Sequence, residues 1–242
     1  MREIDLLRSP KVRKDFKENW RTEENRKIAK RFDKEFFDGD RINGYGGYIY
    51  DGRWKKVVND LKEIYGINSE SSVLDIGCAK GFLLYDLQDM IPRIKVSGID
   101  ISEYAVNHAM DGFGNYMINH KINKENPKKL EEIARKKVLP FMIIGSADKL
   151  PYADNSFDVV LNINTIHNLP KKKCKIALQE MIRVCRNKKD MFIQVDSYRN
   201  DEEKKRMKLS WNLTALTIMY TNDWLKFFKQ EGYDGDYFWT TV

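Results

Sequence analysis

The amino-acid sequence predicts an α/β protein with a doubly wound, mostly parallel sheet and helices on both of its faces. Short apolar runs typical of buried strands alternate with longer segments whose apolar residues recur at helical spacing. Parallel strands need right-handed crossover connections, which place helices on both faces of the sheet. The 242 residues suffice for one such domain with extensions but are short for two full ones.

Residues 1–42 are a charged stretch that we expect to be an N-terminal helical extension, lying as a lid on a domain of residues 43–242. The stretch has 13 basic and 10 acidic residues, and residues 24–32 contain good helix formers without Gly or Pro. Residues 43–54 contain four glycines and four large aromatic residues, so this segment is predicted to be a loop.

Strands and helices alternate along the rest of the chain. The five clear strand patterns are residues 72–77, 94–100, 138–144, 157–163 and 191–195. One helix is predicted from residue 57 to Gly66, and a second directly after the first strand. Two more are predicted, one beginning at about Glu103 and one over residues 174–185. A charged helix over residues 201–208, a helix over 221–232 and a last strand over 237–242 complete the pattern.

The connection between Ser102 and Gly145 is longer than a short helix and a turn require. Its surplus, about residues 113–137, has seven basic and three acidic residues and is predicted to contain a helix over residues 127–137. We expect a basic insertion that lies over the sheet edge or over the site.

Composition excludes several classes of protein. Residues are 42% hydrophobic, which permits a real core, and no run of eighteen apolar residues exists to span a membrane. The N-terminus lacks the apolar region of a signal peptide, and three scattered cysteines are too few for a disulfide framework or a zinc site. With a net charge of +7, the sequence predicts a soluble cytoplasmic protein whose oligomeric state stays open.

A cofactor signal follows the first predicted strand. Gly77, Ala79 and Gly81 are small residues at the start of a helix, so a ligand can lie against the backbone and the free N–H groups there. Asp100 ends the second strand, where a carboxylate can accept the hydroxyls of an adenosine ribose. A dinucleotide site fits less well, because the third small residue of its pattern would fall on Phe82.

These segments resemble the motifs of class I S-adenosylmethionine-dependent methyltransferases. Residues 73–82 look like the glycine-rich first motif, and residues 98–102 are similar to the second. Residues 145–151 and 154–158 resemble the third and fourth. The resemblance implies a Rossmann-like sheet, S-adenosyl-L-methionine as cofactor and S-adenosyl-L-homocysteine as product. This family usually closes its sheet with an antiparallel hairpin, whereas this chain has room for one clear last strand.

The resemblance also implies roles for residues at the methionine and ribose of the cofactor. Asp75 would lie under the methionine amino group, and Asp100 would accept hydrogen bonds from the ribose hydroxyls. Gly77, Ala79 and Gly81 would line the methionine and ribose, with Ala79 standing where the family usually has its central glycine.

Further implied contacts concern the adenine and the end of the fourth strand. Ile101 would pack on the adenine, and the backbone N–H of Ala147 would meet a ring nitrogen. Ser146 stands where the family usually has an adenine-contacting Asp, so a hydroxyl or a neighbour would hold the amino group. Asn162 would offer backbone contacts to the methionine part.

The acceptor side offers two candidate bases. His167 follows the fourth strand and has an unperturbed pKa near 6.5, so it is the preferred catalytic base, and Asp196 at the end of the fifth strand is the second candidate. Each also has a structural interpretation, as a lining histidine or a helix cap. Asn164 is a candidate acceptor contact, and the rim has too few carboxylates for us to expect a metal.

The aromatic loop of residues 43–54 suits a flap over the methionine and the acceptor. Tyr45, Tyr48 and Tyr50 would supply walls and hydroxyls, and Arg53 an anion contact; a purely structural aromatic cluster is the alternative. The loop also resembles, more weakly, one in small-molecule methyltransferases of bacterial surface-polysaccharide gene clusters. That resemblance implies O-methylation of a sugar, a nucleotide-sugar or a phospho-substituent.

Two other functions stay open at this point, an RNA methyltransferase and a non-catalytic subunit that binds S-adenosylmethionine. Nucleic acid is the less favoured partner, since an N/D-P-P-Y/F turn is absent after the fourth strand and Cys174 and Cys185 lie on a helical apolar stripe. The lysine run at 171–173 is either a solvated surface or an anion contact. A small anionic or polyhydroxylated acceptor is therefore the preferred prediction.

Overall fold

A computed structural model describes residues 1–8 and 20–242 and confirms the predicted α/β architecture. Its sheet has the strand order β3-β2-β1-β4-β5, and both β6 and β7 pair with β5. All of these strand pairs are parallel. The strands are β1 (Ser72–Ile76), β2 (Lys95–Asp100), β3 (Met142–Ile144), β4 (Val159–Ile163), β5 (Met191–Tyr198), β6 (Met219–Tyr220) and β7 (Asp236–Thr240).

Helices cover both faces of this sheet. They are α1 (Glu23–Ala29), α2 (Lys34–Phe37), α3 (Trp54–Tyr65), α4 (Phe82–Met90), α5 (Glu103–Asn107), α6 (Phe113–Asn119), α7 (Pro127–Val138), α8 (Lys171–Val184), α9 (Asp201–Arg206) and α10 (Thr221–Gln230). Along residues 1–8 and 20–242, no helix is long and apolar enough to cross a membrane.

The core consists of one apolar cluster on each face of the sheet. In β1, Val73 packs into the cluster that includes α3 and α4, whereas Leu74 and Ile76 pack into the cluster that includes α8 and α10. Helices cover β5 on both faces, so every residue of this strand is buried, including the polar Gln194, Asp196 and Ser197. Burying each of these large apolar side chains stabilises the fold by about 1.5–3 kcal/mol.

Two of the predicted strands differ from the structure. The predicted start of β3 at residue 138 is wrong, because Val138 ends α7 and Pro140 lies in a 3₁₀ turn before Met142. Strand β5 continues three residues beyond the predicted Val195, where it gains β6 as a neighbour. The last strand, β7, runs parallel to β5 and forms no antiparallel hairpin with it.

The basic insertion forms α6 and α7, and α7 packs against α4 in the apolar cluster on one face of the sheet. The helix predicted over residues 127–137 is confirmed, with Pro127 in its first turn and the Asn126 side chain accepting from the amide nitrogens of Lys128 and Lys129. Arg135 ties α7 to the turn before α6 through a 3.0 Å ion pair with Asp111.

The N-terminal residues lie against the last strand. The amide nitrogen of Ile4 donates to the carbonyl of Tyr237 at 2.9 Å, so this segment covers the edge of β7. The helix predicted over residues 24–32 runs from Glu23 to Ala29, and Phe32, with a φ of +50°, lies in the turn before α2. Residues 9–19 of the predicted extension lie outside the described residues, and its boundary at residue 42 stays a prediction.

Lys80 joins the N-terminal extension to the loop after β1. Its side chain is fully buried, and its Nζ lies 2.7 Å from Asp38 and 2.9 Å from Asp111. Asp38 also accepts from the hydroxyl of Tyr104 at 2.8 Å and from the amide of Tyr48 at 3.1 Å. Burial alone would raise the pKa of Asp38, but these hydrogen bonds with Lys80 and Tyr104 outweigh it and hold the pKa below its usual value.

We predict that Lys80→Met destabilises the protein by about 3 kcal/mol, because it leaves Asp38 without its cation beside Asp111, which keeps only Arg135. Urea unfolding measures the change. Lys129→Met is the matched control: it removes an exposed ion pair with Glu125 and should shift stability by less than about 0.5 kcal/mol. Equal effects of the two substitutions would contradict a special role for the buried ammonium.

Candidate active site

A cleft of about 1370 Å³ opens at the carboxyl ends of the strands. Gly77 and Asn164 line it from the loops after β1 and β4, and Asp100 and Asp196 line it from β2 and β5. Residues of the N-terminal extension and the aromatic loop also line it. Single small-molecule sites span about 300–1,000 Å³, so this cleft has room for two ligands side by side. None of the insertion residues 113–137 lines it.

The loop between β1 and α4 brings its backbone to the surface of the cleft. Gly77 has a φ of +85°, and a Cβ there would lie 1.9 Å from Oγ1 of Thr165, so a side chain cannot fit. Ala79 also adopts a positive φ, of +47°, and lines the cleft. Gly81 faces away from it, since a Cβ there would lie 2.8 Å from Sδ of Met142. Its predicted contact with the cofactor therefore has a packing alternative.

Asp100 is held in one orientation at the end of β2. Its carboxylate accepts from the amides of Ala79 and Ser102, both at 2.8 Å, while burial raises its pKa. Ile101 follows it with 56% of its side chain exposed at the lip of the cleft. This arrangement suits a ribose beside Asp100 and a flat apolar group on Ile101.

The segment after β3 lines the cleft next to these residues, through Gly145, Ser146 and Ala147. The Ser146 hydroxyl donates to Asp148, which also pairs with Lys173 at 3.0 Å. Because its proton is engaged, the Ser146 oxygen can accept a hydrogen bond from an amino group in the cleft. One lysine of the 171–173 run therefore has a carboxylate partner.

Asp75 lies at the bottom of a smaller cavity of about 120 Å³, below the aromatic loop. Burial, and then the neighbouring Asp100, raise the pKa of Asp75 to about 7. Tyr48 and Arg53 line the same cavity, so a cationic group and a carboxylate could both find partners there. A zwitterionic amino-acid group matches this arrangement.

Asn162 is fully buried below the cleft and lines neither cavity. Its side chain accepts from the amide of Ile166 at 3.3 Å and lies 3.5 Å from the carbonyl of Ile76, so it fixes the turn after β4. Ile163 and Asn164 line the cleft instead.

The two candidate bases lie together at the opposite end of the cleft. His167 is buried, its Nδ1 accepts from the amide of Asp196 at 3.1 Å, and its Nε2 lies 3.7 Å from Oδ2 of Asp196. Burial lowers the pKa of His167, although Asp196 opposes this shift. The neutral ring therefore carries its proton on Nε2 and directs it toward Asp196.

The aromatic loop places most of its predicted residues at the cleft. Tyr45 and Tyr48 line it with ring centroids 4.6 Å apart, and Arg53 lines it while paired with Asp51. Tyr50 does not, because its buried hydroxyl donates to Asp86 at 2.6 Å on the far side of the loop. The prediction of Tyr50 as a wall is wrong.

Several cleft residues are absent from the sequence predictions. Trp20 and Arg21 line the cleft from the segment before α1, and Trp211 does so from a π-helical turn after α9. Nε1 of Trp211 donates to Oδ2 of Asp196 at 3.2 Å, and Thr240 donates to Asn164 at 2.7 Å. Nothing in the local sequence pattern distinguishes these residues from core or surface residues.

No cysteine among the described residues lines the large cleft, and Cys78 lines the smaller cavity with Asp75, where burial raises the pKa of its thiol. Cys174 and Cys185 are buried elsewhere, and burial raises the pKa of each thiol to about 11. No group of three or more His, Cys, Asp or Glu side chains that could hold a metal occurs along residues 1–8 and 20–242.

Comparison with known proteins identifies the family. Residues 67–232, more than half of the chain, match the family described as the methyltransferase domain. The chain belongs to this family. Its residues 67–232 thus form a methyltransferase domain.

Relatives of this methyltransferase include demethylmenaquinone methyltransferases of Staphylococcus aureus, 28% identical over 146 residues. The match covers 60% of this chain and 50% of theirs, so the chain spans about half the length of these relatives.

Solved structures share the fold. The [4+2]-cyclase SpnF is 16% identical with a TM-score of 0.50, covering 74% of this chain and 56% of that one. A SAM-dependent methyltransferase from Aquifex aeolicus is 25% identical with a TM-score of 0.37, covering 53% and 57%.

The raised pKa of Asp75 predicts how pH affects cofactor binding. An ionised Asp75 attracts the methionine ammonium, so binding releases the carboxyl proton and strengthens as pH rises through about 7. Relative to Asp75→Asn, the wild-type affinity should increase about tenfold between about pH 5.5 and pH 7, where the ammonium stays protonated. Calorimetric titration with S-adenosylhomocysteine measures this ratio, and a ratio independent of pH would remove Asp75 from the site.

Proposed function

We propose that this methyltransferase O-methylates a small polar or anionic metabolite, with Asp196 and His167 at the acceptor hydroxyl. The observation that carries the proposal is the pairing of these two side chains in the cleft, on the β4 and β5 side of the strand that holds Asp75. Asn164 and Thr240 add polar groups beside them.

The cofactor is proposed to occupy the end of the cleft formed by the loops after β1, β2 and β3. Asp75 and Arg53 would hold the methionine group, and Gly77 and Ala79 would let the cofactor lie against backbone. Asp100 would accept the ribose hydroxyls, while Ile101, Ser146 and Ala147 would hold the adenine. In this orientation the sulfonium faces Asp196.

S-adenosylmethionine would supply the methyl group, and its in-line transfer would form the bond to the acceptor oxygen as the bond to sulfur breaks, with S-adenosylhomocysteine as the leaving group. The protein aligns the acceptor and takes up the hydroxyl proton. Nδ1 of His167 is occupied by the amide of Asp196, so the imidazole has no free lone pair in its neutral form. The carboxylate of Asp196 is therefore the proposed base, and His167 is a positioning residue; the prediction of His167 as the base remains untested.

A small acceptor is supported by what encloses this end of the cleft. Trp20, Tyr45, Tyr48 and Trp211 form aromatic walls, with the N-terminal extension closing over them. Flat walls with a polar floor suit a sugar, a nucleotide-sugar or a phospho-substituent, the acceptors that the weaker sequence resemblance implies. We place this reaction in the cytoplasm, as the sequence predicts.

Asp196→Asn should lower the methyl-transfer rate by about 10²–10⁴-fold, because the amide cannot accept the proton. The assay measures S-adenosylhomocysteine release over a panel of sugar phosphates, nucleotide-sugars and hydroxy acids. The affinity of Asp196→Asn for S-adenosylhomocysteine should stay within about twofold of the wild-type value. The control is Asp223→Asn on the outer surface of α10, which should keep the wild-type rate.

Three results would contradict the proposal. A full rate in Asp196→Asn would exclude the carboxylate as base. Tight, salt-sensitive tRNA binding with methylation of the RNA would favour the nucleic-acid alternative. Cofactor binding without turnover on any acceptor would favour a non-catalytic subunit.

A further inference from the structure

Arg21 places a buried guanidinium on the acceptor side of the cleft. Only 5% of the residue is exposed, although its side chain lines the cleft together with Trp20 and Trp211. Nη1 donates to the carbonyl of Trp211, and Nη2 donates to the carbonyl of Arg41 at 3.3 Å. Its polar contacts in the described chain are thus with neutral carbonyl groups.

The charge of Arg21 is incompletely matched. Its Nε–H is buried and has no hydrogen-bond partner among the residues that the structure describes. Burial, followed by the neighbouring cations Arg41 and Arg26, lowers the pKa of Arg21 to about 10, against a weaker opposing effect of Asp196. A buried donor without a partner is costly, so its retention beside a cleft indicates that a ligand supplies the acceptor.

Arg26 is a nearby arginine whose contacts can be compared with those of Arg21. It donates to the carbonyls of Lys208 and Asn212, in the same segment that Arg21 contacts through Trp211. However, Arg26 has a carboxylate partner, Glu23, at 2.9 Å, and it does not line the cleft. The two arginines differ in their counter-ion and in their access to the cleft.

We infer that Arg21 binds an oxyanion group of the methyl acceptor, either a carboxylate or a phosphoryl group. Trp20 covers one face of the guanidinium, with its ring centroid 4.9 Å from the central carbon, and both terminal nitrogens donate to carbonyls, so the Nε–H is the donor left without a partner for the anion. Arg41 lines the same cleft and adds positive charge. This inference rests on the proposed function and specifies the acceptor's second binding group.

Trp211 connects the two ends of the acceptor. Its carbonyl accepts from Arg21, and its indole Nε1 donates to Asp196. The distance between the anionic group at Arg21 and the hydroxyl at Asp196 is therefore about the distance from the carbonyl to the indole nitrogen of one tryptophan. The acceptor is a compact hydroxylated molecule with an acidic group, and a neutral sugar would leave Arg21 without its partner.

Titration with inorganic phosphate and with benzoate tests this inference on protein saturated with S-adenosylhomocysteine. Binding is followed by the change in intrinsic tryptophan fluorescence, to which Trp20 and Trp211 contribute, at constant ionic strength and with chloride as the reference anion. Wild-type protein and Arg26→Met should bind at least one of the two probes saturably. In Arg21→Met the affinity should fall about tenfold or more, and Arg21→Lys should lie between. The probe that binds identifies the class of oxyanion.

Two outcomes overturn the inference: no saturable binding of either probe to wild-type protein, or equal binding by wild-type protein and Arg21→Met. Affinity for S-adenosylhomocysteine, measured in the same samples, shows whether each variant is folded. The proposed function is judged separately by where the methyl group is transferred. Hydroxyl methylation without anion binding would contradict this inference alone.

Discussion

Lys80 places an ammonium group in the protein interior, where neighbouring carboxylates must match its charge. Asp38 comes from the end of α2 and Asp111 from the turn before α6, so one cation joins the N-terminal extension, the loop after β1 and the start of the insertion. Asp38 also accepts from the backbone of Tyr48, which fixes the aromatic loop to the same point. The walls of the cleft therefore depend on a single buried ion cluster.

This cluster explains why the extension lies over the cleft. The Ser102 hydroxyl, which caps α5, donates to the carbonyl of Phe32 and forms a second link between α5 and the extension. With Phe37 and Tyr48 packed edge to face at 5.9 Å, polar and aromatic contacts hold the lid in one position. Cofactor and acceptor thus meet in a space enclosed on both sides.

The site has a different charge at each end. Asp75 and Asp100 lie at the cofactor end, and residues 43–112 carry a net charge of −3, which suits a cationic ligand. Arg21 and Arg41 lie at the acceptor end, although the net charge of the extension is only +3. The basic insertion, with +4, lies outside the cleft. We therefore expect ligand preference to depend on individual charged side chains at the cleft and not on the net charge of each segment.

Sequence patterns predicted the elements whose determinants are local. Gly77 follows one apolar strand and Asp100 ends the next, so the sequence could predict that both residues lie at the same edge of the sheet. Features that depend on tertiary contacts were not predicted. Strand β3 begins only after the 3₁₀ turn at Pro140, the hydroxyl of Tyr50 donates to Asp86, and β7 pairs in parallel with β5. Arg21 was indistinguishable from other arginines of the extension, because its burial depends on segments nearly 190 residues away.

A crystal structure of the complex with S-adenosylhomocysteine is the most direct test of this account. We predict that the homocysteine group lies beside Asp75 and that the ribose hydroxyls donate to Asp100. The sulfur should face the space between Asp196 and Arg21. A ligand bound in the reverse orientation, with its adenine against Asp196, would contradict the assignment of the two ends of the cleft.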